Sequence, residues 1–229
     1  MTEEIFREDA YLTTAQARVV SSDARGIVLD RTIFYPRGGG QAGDSGALVR
    51  GDGTTVKVSD TVKGDGRILH VADAPLESGE AVTARIDWER RHRHMRFHTA
   101  THLLCAIVPH PTNGCSITAD YARLDFDMVE PLDRAHLEQE LARLVAEAHD
   151  IRTLWITDEE LDAKPELVRT MSVKPPRGVG RIRLLEIDGV DLQACGGTHV
   201  ANTREIGALR VAKIEKKSAR SRRVVLEFA

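Results

Sequence analysis

Two short stretches dictate how this chain can fold. His98-Thr-Ala-Thr-His102 and Cys195-Gly-Gly-Thr-His199 each place two metal-ligand side chains four residues apart, and almost a hundred residues separate the two. In a helix of 3.6 residues per turn, side chains four apart project from one face and can converge on a single ion. The glycines beside Cys195 let the backbone turn tightly enough for Cys195 and His199 to face the same way. If the half-sites meet, three imidazoles and a thiolate make a tetrahedral nitrogen/sulfur site, a mixture that suits one Zn2+. The fold must then carry a segment near the middle of the chain to one near its end.

Each half-site alone has an ordinary alternative, because a histidine on an apolar helix face is commonly a hydrogen-bonded core residue. A metalloprotease helix also carries two histidines at this spacing, but its general base is a glutamate directly after the first histidine. Here that residue is Thr99, so the protease reading fails on its catalytic group. Cys105 falls on the same helical face as the histidines and reads as a small core residue packed behind them. Cys115 has no assignment.

Composition narrows the setting. With 229 residues, 41% hydrophobic and 29% charged, the chain suits one large or two small globular domains. Met1-Thr-Glu-Glu-Ile-Phe-Arg-Glu is acidic and lacks the basic-then-apolar order of a signal peptide, and no apolar run approaches a membrane span. Three cysteines cannot all pair, so a reducing, cytoplasmic setting without a disulfide framework is expected, with no membrane and no obligate protein partner. A net charge of -3 rules out a coat of positive charge. Two basic clusters stand out all the same: Arg85, Arg90, Arg91, Arg93 and Arg96, then Lys213, Lys216, Lys217, Arg220, Arg222 and Arg223. Either can be a solvated face, but two of them flanking a candidate metal site fit contact with a polyanion.

The first ninety or so residues read as short strands: Ala17-Arg-Val-Val, Gly26-Ile-Val-Leu-Asp, Thr55-Val-Lys-Val, Arg67-Ile-Leu-His-Val and Ala81-Val-Thr-Ala-Arg-Ile. Gly51-Asp-Gly and Gly64-Asp-Gly punctuate them, and a small barrel or curled sheet is the economical architecture. From Trp88 the pattern turns helical as far as Val108, where Pro109 and Pro111 stop it. A strand is expected at Ala122-Arg-Leu-Asp-Phe and a helix from Pro131 to His149 with Leu137, Leu141 and Leu144 buried. Thr157-Asp-Glu-Glu opens a short capped helix. Beyond a Lys174-Pro-Pro-Arg turn come strands at Ile182-Arg-Leu-Leu-Glu-Ile, Ala208-Leu-Arg-Val-Ala-Lys-Ile and Val224-Val-Leu-Glu-Phe. The expected fold class is α+β: a β-barrel-like domain over 1–88, then an α+β zinc-containing domain with an antiparallel sheet over 89–229.

Phe34-Tyr-Pro-Arg-Gly-Gly-Gly-Gln41, continuing Ala42-Gly-Asp-Ser-Gly46, is too glycine-dense for a strand interior. It reads either as a hairpin between barrel strands or as a loop whose amides line a pocket or meet an RNA backbone. No Lys-Ser/Thr follows, so it is not a phosphate-binding P-loop. Asp44 and Asp125 can be bases, but each is better explained as support for a turn or a strand end.

FYPRGGGQ, HTATHLL and DLQACGGTHVANTREIG, in that order, together resemble the editing module of alanyl-tRNA synthetase and its free-standing AlaX relatives. The resemblance covers nearly the whole chain and leaves no room for an aminoacylation domain. It implies a hydrolase that removes a wrong amino acid, chiefly serine and in some cases glycine, from the acceptor end of alanine tRNA. It also implies Zn2+ on His98, His102, Cys195 and His199. Thr32 matches a threonine placed near the serine hydroxyl and Thr101 falls at an editing-pocket position, so these two are the catalytic candidates that the resemblance implies. Gly38, Gly39, Gly40 and Gln41, with Arg91, Arg93, Lys216 and Arg222, are the candidate substrate and tRNA contacts. Two departures from the family stand out. The loop expected after the ligand helix reads Pro111-Thr-Asn-Gly-Cys115, without the usual glutamine, and the C-terminal loop is Lys217-Ser-Ala-Arg in place of a glycine-rich one.

Such a pocket can reject alanine because groups built to hydrogen-bond a serine hydroxyl stay unpaired when alanine binds, a discrimination of about 10⁴ to 10⁵. The ion and pocket donors would stabilise the tetrahedral oxyanion. Four protein ligands nevertheless usually mean a closed, structural zinc. A non-catalytic, zinc-stabilised tRNA-binding module and a zinc hydrolase for another aminoacyl-tRNA therefore stay open as alternatives.

Overall fold

The computed structural model describes residues 2–168 and 181–229, so the Lys174-Pro-Pro-Arg turn lies outside the described residues. The chain forms two compact units, Met1–Arg93 and His94–Ala229.

The first unit holds strands β1 (Glu3–Glu4), β2 (Thr14–Asp23), β3 (Gly26–Leu29), β4 (Arg31–Thr32), β5 (Gly46–Arg50), β6 (Thr55–Gly64), β7 (Arg67–Ala72) and β8 (Ala81–Ile86). Six of them close into a barrel in the order β2-β3-β7-β6-β5-β8. Closure follows from the side-chain pattern. Val56 and Val58 on β6, and Val82, Ala84 and Ile86 on β8, alternate inward at the strand period of two, while β3 is buried throughout. With Leu48, Ile33 and Phe34 they fill the barrel core. Strand β5 was not anticipated, because the glycines around it mask its short apolar run.

The glycine motif is a turn. Gly38 and Gln41 exchange both backbone hydrogen bonds, at 3.1 and 3.0 Å, and Gly39 and Gly40 between them have φ of +57° and +87°. Those are the two central positions of a type I′ turn, which side-chain-bearing residues adopt only at a cost. Gly43 answers to a different constraint, since a Cβ there would lie 2.2 Å from the carbonyl oxygen of Thr61.

His70, on β7, is fully buried in this unit. Its Nδ1–H donates to the carbonyl of Ile27 (2.9 Å), which leaves Nε2 to accept the hydroxyl of Thr32 (2.8 Å). Burial pushes its pKa down to about 4, the Ile27 carbonyl opposing only in part. The unfolded chain, with an imidazole near 6.5, therefore takes up a proton that the folded barrel refuses. This contribution is complete above the unfolded value and is lost as pH falls towards 4. Between pH 7 and pH 5 it amounts to about 2 kcal/mol. Urea midpoints of the wild type should fall over that interval, and those of His70→Gln should fall less; equal slopes would show that His70 does not carry the acid sensitivity.

In the second unit the elements are helix α1 (Trp88–Ile107), which begins in the first unit, then β9 (Thr112–Ile117), β10 (Ala122–Asp127), α2 (Arg134–Ala146), β11 (Ile151–Ile156), α3 (Asp158–Asp162), β12 (Ile182–Ile187), β13 (Asp191–Ala194), β14 (Leu209–Ser218) and β15 (Ser221–Phe228). They build one four-stranded sheet, β14-β15-β10-β9, and one three-stranded sheet, β11-β12-β13, both antiparallel. The α+β class and the closed barrel are as expected. Helix α2 buries Leu137, Leu141 and Leu144, but starts at Arg134 rather than Pro131 because Asp133 caps it, accepting from the amides of Ala135 and His136. Thr157 and Glu160 form the anticipated capping box of α3.

The segment after α1 is a correction. Pro111-Thr-Asn-Gly-Cys115, expected as loop, falls largely in the strand Thr112–Ile117 paired with β10, because cross-strand bonding overrides the turn preference of Asn113 and Gly114. Gly114 has its own reason to lack a side chain, since a Cβ would lie 2.9 Å from Oδ2 of Asp125. Asp125 in turn receives Arg223 at 2.7 and 2.8 Å and Arg123 at 3.1 Å, the strand support proposed for it.

Candidate metal centre

The second unit brings the two half-sites together. Ligand atoms of His98, His102, Cys195 and His199 all lie within 4.8 Å of one another. Helix α1 supplies the first pair from a stretch, 97–105, that is buried on every side. The second pair comes from the segment that follows β13. Cys195 Sγ lies 3.2 Å from His199 Nε2 and 3.5 Å from His98 Nε2. Metal bonds of about 2.0–2.3 Å set tetrahedral ligand-to-ligand edges of about 3.3–3.8 Å, and these two sulfur-to-nitrogen distances lie in or just below that range, so the cluster could hold one ion. Three nitrogens and a sulfur are also the donor set of such a site. Cys105 is buried and stands outside this cluster, as expected of a core cysteine.

Hydrogen bonds behind the ligands fix which nitrogen faces inward. His102 Nδ1–H donates to Asp191 Oδ2 (3.0 Å), and Gln193 Nε2 donates to the same oxygen (2.7 Å). His199 Nδ1 is 3.2 Å from Oγ1 of Thr99, whose own proton goes to the carbonyl of Met95 at 3.0 Å. Thr99 therefore accepts from His199 and leaves Nε2 with its lone pair. Partners of this kind orient imidazole ligands and raise their basicity. The residue that rules out a protease is thus the one that orients a ligand. Nothing in the spacing signalled Asp191 or Thr99, because their role depends on which strands and turns become neighbours.

The electrostatics agree. Burial raises the pKa of Cys195, but His98, His199 and hydrogen bonding from His102 more than offset it and hold the thiol well below its ordinary value. Burial lowers that of His102, yet Asp191 and Cys195 overcome it and raise it to about 9. Burial, with the neighbouring His98, keeps His199 well below the usual imidazole range. These shifts favour a thiolate beside an imidazolium, a proton whose place a bound cation would take. By contrast, burial pushes the Cys115 thiol up to about 12, so it stays protonated.

The remaining candidates divide. Thr101 is buried and its hydroxyl donates to the carbonyl of His98 at 2.7 Å. Thr32 is buried in the first unit, where its oxygen meets His70 and accepts from the amide of Phe34 at 3.0 Å. Gly39 is exposed at the tip of its turn, Gly38 and Gly40 are half-buried, and Gln41 is buried. Arg93 is half-buried and Lys216 exposed. Two candidate RNA contacts are corrected. Arg91 is fully buried and ion-paired with Asp44, and also donates to the carbonyls of Ala10 and Ile33. Arg222 is buried and donates to the carbonyls of Glu130, Ser218, Ser221 and Val129. Neither guanidinium is left for a phosphate. Sequence clustering exposed their charge but not which face of an element each occupies.

Comparison with known proteins places these observations. Residues 6–90 match the family described as tRNA synthetases class II (A), and residues 182–225 match the threonyl and alanyl tRNA synthetase second additional domain. The chain is 36% identical to the alanyl-tRNA editing protein AlaX-M of Methanosarcina acetivorans over 98% of each chain. To AlaX-M of Saccharolobus solfataricus it is 35% identical, again over 98% of each. It is 37% identical to the alanine-tRNA ligase of Ignicoccus hospitalis, over 94% of this chain but 24% of that one.

Proposed function

Since the chain belongs to the alanyl-tRNA editing family, AlaX, we propose that it is a zinc-dependent aminoacyl-tRNA hydrolase acting in the cytoplasm on misacylated alanine tRNA, chiefly the seryl and also the glycyl form. The convergence of three imidazoles and one thiolate, in a chain related to editing proteins over nearly its full length, is the observation that carries this reading. His98, His102, Cys195 and His199 would hold the ion, which would supply positive charge for the oxyanion of ester hydrolysis. The protein's part is to hold that charge rigidly: Asp191 and Thr99 fix the imidazoles, and the surrounding histidines, against the opposing effect of burial, keep Cys195 in its ligating form. We assign Thr32 and the glycine turn Gly38, Gly39, Gly40 and Gln41 to contact with the aminoacyl-tRNA, through the amides of Gly39 and Gly40 because those of Gly38 and Gln41 bond to each other's carbonyls, and Thr101 supports the candidate ligand helix through the His98 carbonyl. One observation favours a second reading, a zinc-stabilised tRNA-binding module without catalysis: all four ligands come from the protein, the pattern of a closed site. Deacylation measured against a panel of charged tRNAs separates them. Release of serine from alanine tRNA with alanyl-tRNA spared supports the hydrolase; binding without release supports the module.

The RNA contacts we assign are Arg93 and Lys216, joined by Lys217 and Arg220, which are exposed beside the β14–β15 turn. Replacing Lys216, Lys217 and Arg220 together by alanine should weaken tRNA binding and lower the slope of log K against log salt by about 2–3, at about 0.7–0.9 per phosphate contact. An unchanged slope would make that hairpin merely solvated surface.

A further inference from the structure

Cys195 lies where a strand has just ended. Its amide still bonds to the carbonyl of Arg183 (3.1 Å), the last rung joining β13 to β12, and the next residues leave the ladder. A turn outside a ladder holds its shape only if its carbonyls find other donors. Here one side chain supplies them. Arg183 Nη1 donates to the carbonyls of Cys195 and Gly197, both at 2.9 Å, while Nη2 donates to Oγ1 of Thr153 on β11 (3.0 Å). The turn also closes on its own sulfur, with the amide of Gly197 3.5 Å from Cys195 Sγ. The guanidinium is buried, and its planar fork fixes both ends of the Cys195–Gly197 turn against two strands.

From this geometry we infer that Arg183 is a positioning residue of the Cys195 and His199 half-site: by clamping two carbonyls of one turn it sets the direction of the thiolate and the path of the backbone to the imidazole that Thr99 orients. It acts through the backbone and touches neither metal nor substrate. The curvature that glycine permits is therefore imposed by an arginine twelve residues upstream, on the neighbouring strand. This inference rests on the metal reading of the site but not on any particular reaction.

The test uses Co2+ as the probe on full-length protein, because a thiolate-to-cobalt charge-transfer band reports Cys195 directly. Wild type, Arg183→Lys and Thr153→Val are titrated with Co2+ against a competing chelator, and the metal-free proteins are melted for comparison. A lysine keeps the charge and most of the stem but cannot reproduce the fork. The expected result for Arg183→Lys is about 10- to 100-fold weaker Co2+ binding and a reduced charge-transfer band, with little change in the metal-free melt. Thr153→Val, which removes one arm, should weaken binding by less. Wild-type affinity with a full charge-transfer band in Arg183→Lys would overturn the inference. A wild-type protein that binds no Co2+ would instead overturn the metal reading beneath it. Should Arg183→Lys fail to fold, unchanged affinity and band in Thr153→Val overturn the clamp, and a loss in both supports it.

Discussion

Cys195→Ala should lose tight metal binding and deacylation together, with turnover on misacylated alanine tRNA falling by more than about 1,000-fold. Removing a partner behind a ligand typically costs 10- to 100-fold, and removing the thiolate itself deletes the one anionic donor of the four. What remains is three imidazoles, two of them already committed through Nδ1 to Asp191 and Thr99. Metal content by mass spectrometry and single-turnover deacylation check the two halves of the prediction. Chelator-treated wild type should behave like the variant and recover on adding zinc, whereas the variant should not recover. A metal-free variant that turns over normally would remove zinc from the mechanism altogether.

The second large effect is structural. Arg91 and Asp44 form an ion pair that is almost wholly excluded from water, at 0% and 1% side-chain exposure. Asp44 also accepts the amide of Tyr35 at 2.6 Å, and its backbone carbonyl takes the hydroxyl of Thr61, so the aspartate pins the strand beyond the glycine turn. Arg91→Met leaves that carboxylate buried with no cation and strands the carbonyls of Ala10 and Ile33. A cost of about 3–5 kcal/mol is expected, because breaking a buried pair on one side leaves an uncompensated charge. Arg91→Met with Asp44→Asn should recover part of it, and a double-mutant cycle from urea unfolding measures the coupling. A single-variant cost below about 1 kcal/mol would show that water reaches the pair.

The arginine cluster that reads as a nucleic-acid footprint is thus partly a core. Arg90, Arg91 and Arg93 are adjacent or nearly so, yet helical rotation sends Arg91 inward to Asp44. Sequence proximity gathers charge, and only the face of the helix decides whether solvent sees it. Strands show the same division. Those with alternating β-branched residues, such as Thr55–Gly64 and Ala81–Ile86, were legible. Thr112–Ile117 and Asp191–Ala194 were not, since Thr-Asn-Gly-Cys and Asp-Leu-Gln-Ala become strands through the neighbours that bond to them.

By itself the sequence determined the candidate ligands, the helical spacing of His98 and His102, the barrel's alternation and the family, because all four are written in local residue order. The tertiary structure decided what surrounds the ligands: Asp191 behind His102, Thr99 behind His199, Arg183 across the Cys195 turn, and Arg91 and Arg222 turned from solvent to buried carbonyls. Those are pairings across tens of residues, and hydrogen bonds of that kind depend on the register and facing of packed elements, which local order does not encode.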